Sequence, residues 1–412
     1  MLTSENAPAA QTGLSAIRKR FPIFQEYPEL AYLDNAATTQ RVDTVIDDLD
    51  TFHRKRNATV HRGVYTLSAE ATRSFEDARA KVARFLGAND PETIAFTRGT
   101  TESINIVASS FLKRRIRPGD NIVISIMEHH ANFIPWQMLC QENGAELRIV
   151  PLSENGDLDL KSLGELMDPR TRLLSVTHIS NTLGTVNPVD DMIAMAHRKD
   201  IPVLIDAAQS AALYSLDVSK LNCDFLAFSA HKAFGPFGVG ALYVRDRYKA
   251  EMKPYTWGGG IVKNVTTIQT DFRPYPYNMD SGTPNVSGVL GLSSALDFIH
   301  QLDREECRRH VRELSSRCHK GLAGLKGVRV LGDPEKASGI ISFCLDEIHP
   351  HDVASFLNED NIAVRAGMHC TQPLLTSLGL TATVRVSFSI YNTPDEVDRL
   401  VYSLKELKKF WE

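Results

Sequence analysis

No stretch of this 412-residue chain runs to about 18 consecutive apolar residues, so nothing in it reads as a membrane-spanning helix. Cysteine is scarce and unpatterned. The six (Cys140, Cys223, Cys307, Cys318, Cys344, Cys370) contain no C-x-x-C pair, which argues against a disulfide framework or a structural zinc site and leaves thiols free to react. An excess of positive charge is missing too: a formal net charge of −4 gives no basic footprint for nucleic acid. The opening 13 residues, MLTSENAPAAQTG, lack the apolar core of a secretion signal and read as a disordered start. Together these absences point to a cytoplasmic protein. No internal repeat or low-complexity linker breaks the chain.

What is present is an ordinary globular composition, 43% hydrophobic and 23% charged, in a chain long enough for two domains. The runs TIAFT (93–97), NIVISI (121–126), ELRIVPL (146–152), LLSVTHI (173–179), PVLIDAA (202–208), DFLAFSA (224–230) and GALYV (240–244) are continuously apolar, as strands buried on both faces are. Helical stretches such as 102–115 and 188–199 fall between them. The order predicts an α/β fold: a large domain with a mostly parallel seven-stranded sheet flanked by helices, its ligand at the carboxyl ends of the strands. Beyond about residue 280 long helices (286–303, 305–325), shorter strands (340–345, 363–366, 384–388) and a charged terminal helix (394–410) predict a smaller α+β C-terminal domain. The expected division is 1–28 for an N-terminal arm whose helix packs with the small domain, 29–283 for the large domain and 284–412 for the small one.

Polar residues gather where the apolar strands stop. SAHKAFGP (229–236) follows DFLAF and puts Lys232 at a strand end between Ser229, His231 and a glycine-proline turn. Such a lysine suits a Schiff base with an aldehyde cofactor, and burial beside a cation would lower its pKa; an isolated lysine there would read as a surface turn. One strand earlier, Asp206 in PVLIDAAQS can cap a helix, or pair with a protonated ring nitrogen that makes the ring an electron sink. TIAFTRGTTESIN is strand, glycine turn, then helix: Gly99 permits the turn, and Thr100 and Thr101 add hydroxyls to a helix start. It is a cup for a lone phosphate or a simple cap, and it lacks the P-loop lysine. In MEHHANFIPW (127–136), His129 can stack on an aromatic ring. Its neighbour His130 raises a metal site as an alternative, although no carboxylate or thiol spacing accompanies the pair. Asn181 in HISNTLGT and Gln209 can each reach a ring oxygen.

The ordered set RGTTESIN, MEHHAN, SNTLGT, DAAQS, SAHKAFGP, SGTPN and RAGMHCTQPL resembles the class V aminotransferase family, within fold type I of the pyridoxal 5'-phosphate (PLP) enzymes. More narrowly it is similar to the SufS-type (group II) cysteine desulfurases, whose close relatives include selenocysteine lyases. The likeness runs from about Phe21 to the C-terminus, with LDNAAT and VHRGVYTLS inside it. The resemblance implies that Lys232 carries PLP, that Asp206 holds the ring nitrogen and that His129 stacks on the ring. It further implies that Gln209 and Asn181 take the ring oxygen, and that Thr100, Thr101, Ser229 and His231 surround the phosphate. SGTPN matches a stretch that crosses a homodimer interface to the partner's phosphate, which assigns Thr283.

Two further motifs concern sulfur and substrate. In RAGMHCTQPL, Arg365 and His369 stand near Cys370 and are expected to favour its thiolate; the bland reading is a small buried thiol, which is applied to the other five cysteines. Arg385, opening the strand VRVSFS, has the planar fork that holds a carboxylate by two parallel hydrogen bonds, or else it makes a salt bridge. The resemblance implies the first role, with Asn181 and Arg365 also at the substrate. It implies conversion of L-cysteine to L-alanine with a persulfide left on Cys370, relieved by an acceptor protein of the SufE or SufU type and feeding iron–sulfur cluster assembly. Met368 departs from the family, where relatives often carry histidine, and puts any role of that position in sulfur hand-off in doubt. Selenocysteine lyase, another class V PLP chemistry and a non-enzymatic paralogue are the competing readings; the last conflicts with the retention of Lys232 and Asp206.

Overall fold

The computed structural model describes residues 14–411; the segment read as a disordered start lies outside the described residues. The seven apolar runs form one sheet. Its strands are β1 (Ile94–Thr97), β2 (Asn121–Ser125), β3 (Glu146–Val150), β4 (Thr171–Thr177), β5 (Val203–Asp206), β6 (Phe225–Ser229) and β7 (Gly240–Val244). They lie in the order β1-β7-β6-β5-β4-β2-β3, with β7 antiparallel to both its neighbours and every other pair parallel. The continuous hydrophobicity has a direct cause. Successive residues enter two different cores on opposite faces: Val203 and Ile205 one, Leu204 the other; Leu226 and Phe228 one, Phe225 and Ala227 the other. The exception is β3, an edge strand that is only partly buried.

The second unit is an antiparallel sheet of β8 (Val328–Leu331), β9 (Ile340–Leu345), β10 (Arg365–Gly367) and β11 (Thr383–Ser387), in the order β8-β9-β11-β10. The strand expected over 363–366 is split. Ile362–Ala363 pairs with Ala31–Tyr32, and β10 pairs with β11. A separate core joins this sheet to helices Arg304–Ala323 and Pro394–Trp411.

Packing divides the chain later than the expected 283/284 boundary. Helix Val286–Gln301 lies against helices Asp43–Thr51 and Thr66–Phe85, and its Val289, Leu292, Leu296 and Ile299 belong to the core of the large sheet. Apart from Ala31 and Leu33, the buried side chains of the second core all lie beyond residue 301. The N-terminal arm likewise bridges both units and is not confined to the small one. Phe21 packs edge-on against Phe234, Phe298 and Tyr391, while Arg18 pairs with Glu396 of the terminal helix at 2.8 Å. The LDNAAT segment then runs beside β11: the Asn35 amide donates to the Ser387 carbonyl at 2.6 Å, and the Ala36 amide donates to Ser387 Oγ at 2.8 Å. That seam lays Ala36 and Ala37 along the cavity between the units.

Candidate active site

The strand order reverses between β4 and β2, and a cavity of about 210 Å³ opens at the carboxyl ends there. It is lined by Thr100, Thr101, His129, Asn181, Asp206, Gln209, Ser229, His231, Lys232, Arg365, Cys370 and Arg385, and by Ala36, Ala37, Thr177 and His369. Sequence spacing separates these groups by hundreds of residues; the sheet brings them together. Thr283 is not among them. It is exposed and lines a different cavity with His61, Arg62 and Arg273.

Lys232 sits in a short turn (Ala230–Lys232) directly after β6. Burial takes its amine down to about 8; the Asp206 charge opposes this, and Arg385 and Arg365 add to it. Asp206 ends β5, buried, with Oδ1 accepting from the Ala208 amide at 2.9 Å. No helix follows it, so it is not an N-cap. Burial pushes its pKa up, and the nearby Lys232 charge pulls it back. His129 is held as the neutral imidazole, its pKa lowered to about 3 by burial and by Lys232, and its Nδ1 accepts from the Ala131 amide at 3.0 Å.

The cup between β1 and β6 is built by close backbone approach. A Cβ at Gly240 would lie 2.5 Å from the Phe228 carbonyl oxygen and 2.7 Å from Gly99 Cα, so no side chain fits there. Ser229 Oγ accepts from the Thr100 amide at 2.8 Å and meets Thr100 Oγ1 at 2.9 Å. Thr100 is buried and committed to Ser229, while Thr101 is exposed at the rim. His231 leaves Nδ1 buried without a partner, and its pKa is lowered to about 4 by burial. A hydroxyl-lined cup, an orphaned ring nitrogen, a strand-end carboxylate, a neutral imidazole and a depressed lysine amine fit PLP. Among the described residues no group of three or more His, Cys, Asp and Glu side chains is arranged to hold a metal.

Cys370 is the exposed cysteine; Cys140, Cys223, Cys307 and Cys318 are buried and Cys344 half-buried. Cys223 precedes β6 and is not within it, but burial still raises it to about 12. The turn that presents Cys370 is strained: His369 (φ 51°) and Cys370 (φ 56°) are both left-handed, at a cost of about 1–2 kcal/mol each. Four contacts hold it there. The His130 amide donates to the Cys370 carbonyl at 2.7 Å and the Asn181 amide to the His369 carbonyl at 2.8 Å. The Thr371 amide donates to the Met368 carbonyl at 2.9 Å, and Thr371 Oγ1 meets Thr182 Oγ1 at 2.7 Å. Asn181 and Gln209, expected at a ring oxygen, thus spend amide protons on the protein itself, Gln209 on the Ala36 carbonyl at 2.8 Å.

One expectation is corrected here. His369 supplies no charge to the Cys370 thiolate, because it is buried against Thr383, with Nε2 2.8 Å from Oγ1, and burial beside Arg385 holds it neutral with a pKa of about 3. Arg365 is exposed and bonds Asp34.

Residues 31–400 match the aminotransferase class-V family. The chain belongs to that family. It is 45% identical over 397 residues to the cysteine desulfurase of Salmonella typhimurium (strain LT2), covering 95% of this chain and 98% of that protein. The crystal structure of the cysteine desulfurase CsdA (S-sulfonic acid) from Escherichia coli superposes with a TM-score of 0.91 at 37% identity, covering 97% of this chain and all of the other. The apo cysteine desulfurase from Thermococcus onnurineus NA1 gives 0.92 at 35% identity, covering 99% of this class-V chain and 100% of its own. Within the class-V family, therefore, this enzyme stands among the cysteine desulfurases.

Two residues of this class-V site were given no part in the cofactor or sulfur chemistry by their sequence. His130 anchors Cys370, as above. Glu128 lies behind the cavity, fully buried, accepting from Ser125 Oγ and Asn132 Nδ2 at 2.5 Å each and from the Thr177 amide at 3.0 Å. Burial, with Asp206 nearby, raises it to about 8. Both stand inside EHHAN, but their neighbours come from other strands and loops, and sequence order does not show those.

Proposed function

We propose that the chain is a PLP-dependent cysteine desulfurase of the SufS kind, converting L-cysteine to L-alanine and leaving the sulfur as a persulfide on Cys370. The observation that carries this is the meeting of an exposed, strained cysteine, a depressed lysine and a buried arginine in one cavity. PLP, when bound, stabilises negative charge at the substrate Cα. Asp206 would hold the ring nitrogen, His129 would stack on the ring, Asn181 and Gln209 would serve its oxygen, and Ser229, Thr100, Thr101 and His231 would hold the phosphate. Arg385 orients the α-carboxylate, with Asn181 and Arg365 beside it. Lys232 would carry PLP and, once freed, move the Cα proton at Nζ; an amine near 8 is part neutral at physiological pH.

The Cys370 thiolate then attacks the substrate Sγ. A sulfur–sulfur bond forms, the substrate carbon–sulfur bond breaks, and its electron pair takes up a proton to complete alanine. The exposure of Cys370 suits transfer to a small acceptor protein of the SufE or SufU type, which would feed iron–sulfur cluster assembly in the cytoplasm. Thr283, which lies outside this cavity, would reach the phosphate of a second copy in a homodimer.

The test is mass-spectrometric mapping of the cysteines after one turnover with L-cysteine. Added sulfur on Cys370 is expected. Sulfur on another cysteine, or undiminished alanine release by Cys370→Ala, overturns the reading.

A further inference from the structure

A carboxylate already stands where a carboxylate is to bind. Asp34 Oδ1 accepts from Arg385 Nη2 at 3.2 Å, and its Oδ2 accepts from Arg365 Nε at 3.2 Å. The Arg385 side chain is only 2% exposed; its Nη1 donates to the Asn181 carbonyl at 2.9 Å, and its Nε has no partner. Of the guanidinium edge formed by Nε and Nη2, Asp34 therefore takes one half, at the long end of hydrogen bonding, and leaves the other open. Asp34 itself is held in register by the parallel bridge to Ser387, two residues beyond Arg385.

A guanidinium enclosed this deeply is costly without an anion. Burial lowers Arg385 to about 10, Arg365 adds to that effect, and Asp34 opposes it. Lys232, Arg365 and Arg385 face the cavity together with Asp206, and removing Asp34 would leave both arginines without its charge.

We propose that Asp34 is a positioning residue that stands in for the substrate α-carboxylate: it holds Arg385 ready while the site is empty and passes to Arg365 alone when the substrate takes the Nε–Nη2 edge. This rests on the reading of Arg385 as the carboxylate clamp. The exchange moves no proton and breaks no covalent bond. It also confers selectivity. An inorganic anion must displace Asp34 with nothing else to hold it, whereas an amino acid fixed through its amine competes at high effective concentration.

The test uses the holoenzyme, with L-alanine binding followed by the visible spectrum and sulfate as competitor. Asp34→Asn is expected to bind sulfate on the order of tenfold more tightly and L-alanine several-fold more tightly. Arg365→Gln, which removes the residue that receives Asp34, is expected to weaken L-alanine, and the double variant to recover that loss. If folded Asp34→Asn binds both no better than wild type, the inference is overturned. It is overturned equally if the double variant stays as weak as Arg365→Gln, a comparison that also serves should the single Asn variant fold poorly. Wild-type holoenzyme with no spectral response to L-alanine would instead sink the reading of the cavity, and this inference with it.

Discussion

The His130 amide donates to the Cys370 carbonyl across 2.7 Å, and the His130 ring accepts from the Gln372 amide at 3.2 Å, so one histidine grips both sides of the strained cysteine turn. Two left-handed residues in succession are tolerated only where the surroundings over-determine them, and this grip adds to the contacts made by Asn181, Thr182 and Thr371.

His130→Ala should therefore loosen the turn without touching the cofactor cup. Losing the ring contact costs about 1 kcal/mol, or roughly fivefold in alanine release. Faster alkylation of Cys370 with an unaltered visible spectrum is the companion observation; an unchanged alkylation rate would show that the ring does not restrain the turn.

If Arg385 is the carboxylate clamp proposed above, Arg385→Ala should remove two charge-assisted hydrogen bonds to the substrate, about 2–3 kcal/mol together, or roughly 30- to 150-fold in KM for L-cysteine. The spectral titration with L-alanine should weaken in parallel, while borohydride reduction still fixes the cofactor to Lys232.

The Lys232 amine, lowered from 10.5 to about 8, must be neutral to capture an aldehyde. The recombination rate of the cofactor-free protein with PLP should thus climb as pH rises toward 8 and level off above it. Stopped-flow absorbance measures this. A rate still climbing toward pH 10 would mean the amine is not depressed.

Glu128, raised to about 8, sits protonated in the fold and ionises on unfolding above its ordinary value near 4.5. The folded state then binds the extra proton, so this group's stabilisation is full below about 4.5 and drains away as pH climbs to about 8. Denaturation of wild type against Glu128→Gln across that window should show wild type losing ground with rising pH. Glu128→Ala, which strands the donors of Asn132 and Thr177, should cost about 2–3 kcal/mol.

How much of this was legible in the sequence follows from what each signal measures. The seven strands were, six of them because burial on two faces demands apolar residues at consecutive positions, as in LLSVT and VLID; only the edge strand β3 is less deeply buried. Lys232, Asp206, His129 and Cys370 could be singled out because each is a reactive side chain at the end of an apolar run or within a motif quoted in family order. Their assembly into one cavity is a property of strand order, which places β5 beside β4 and β6 whatever the residues between them. The domain boundary fell too early because apolar residues in helix Val286–Gln301 do not by themselves name the core they enter, and packing against Asp43–Thr51 and Thr66–Phe85 sets them in that of the large sheet. His369 looked like a charge for the thiolate because it adjoins Cys370 in sequence. The turn faces its ring into Thr383 and buries it, and desolvation then removes the proton. Asp34 was unreadable for the same reason in reverse. Sequence fixes which groups can carry charge, but the charge each one carries and the partner it answers depend on burial and distance, and those exist only once the chain has folded.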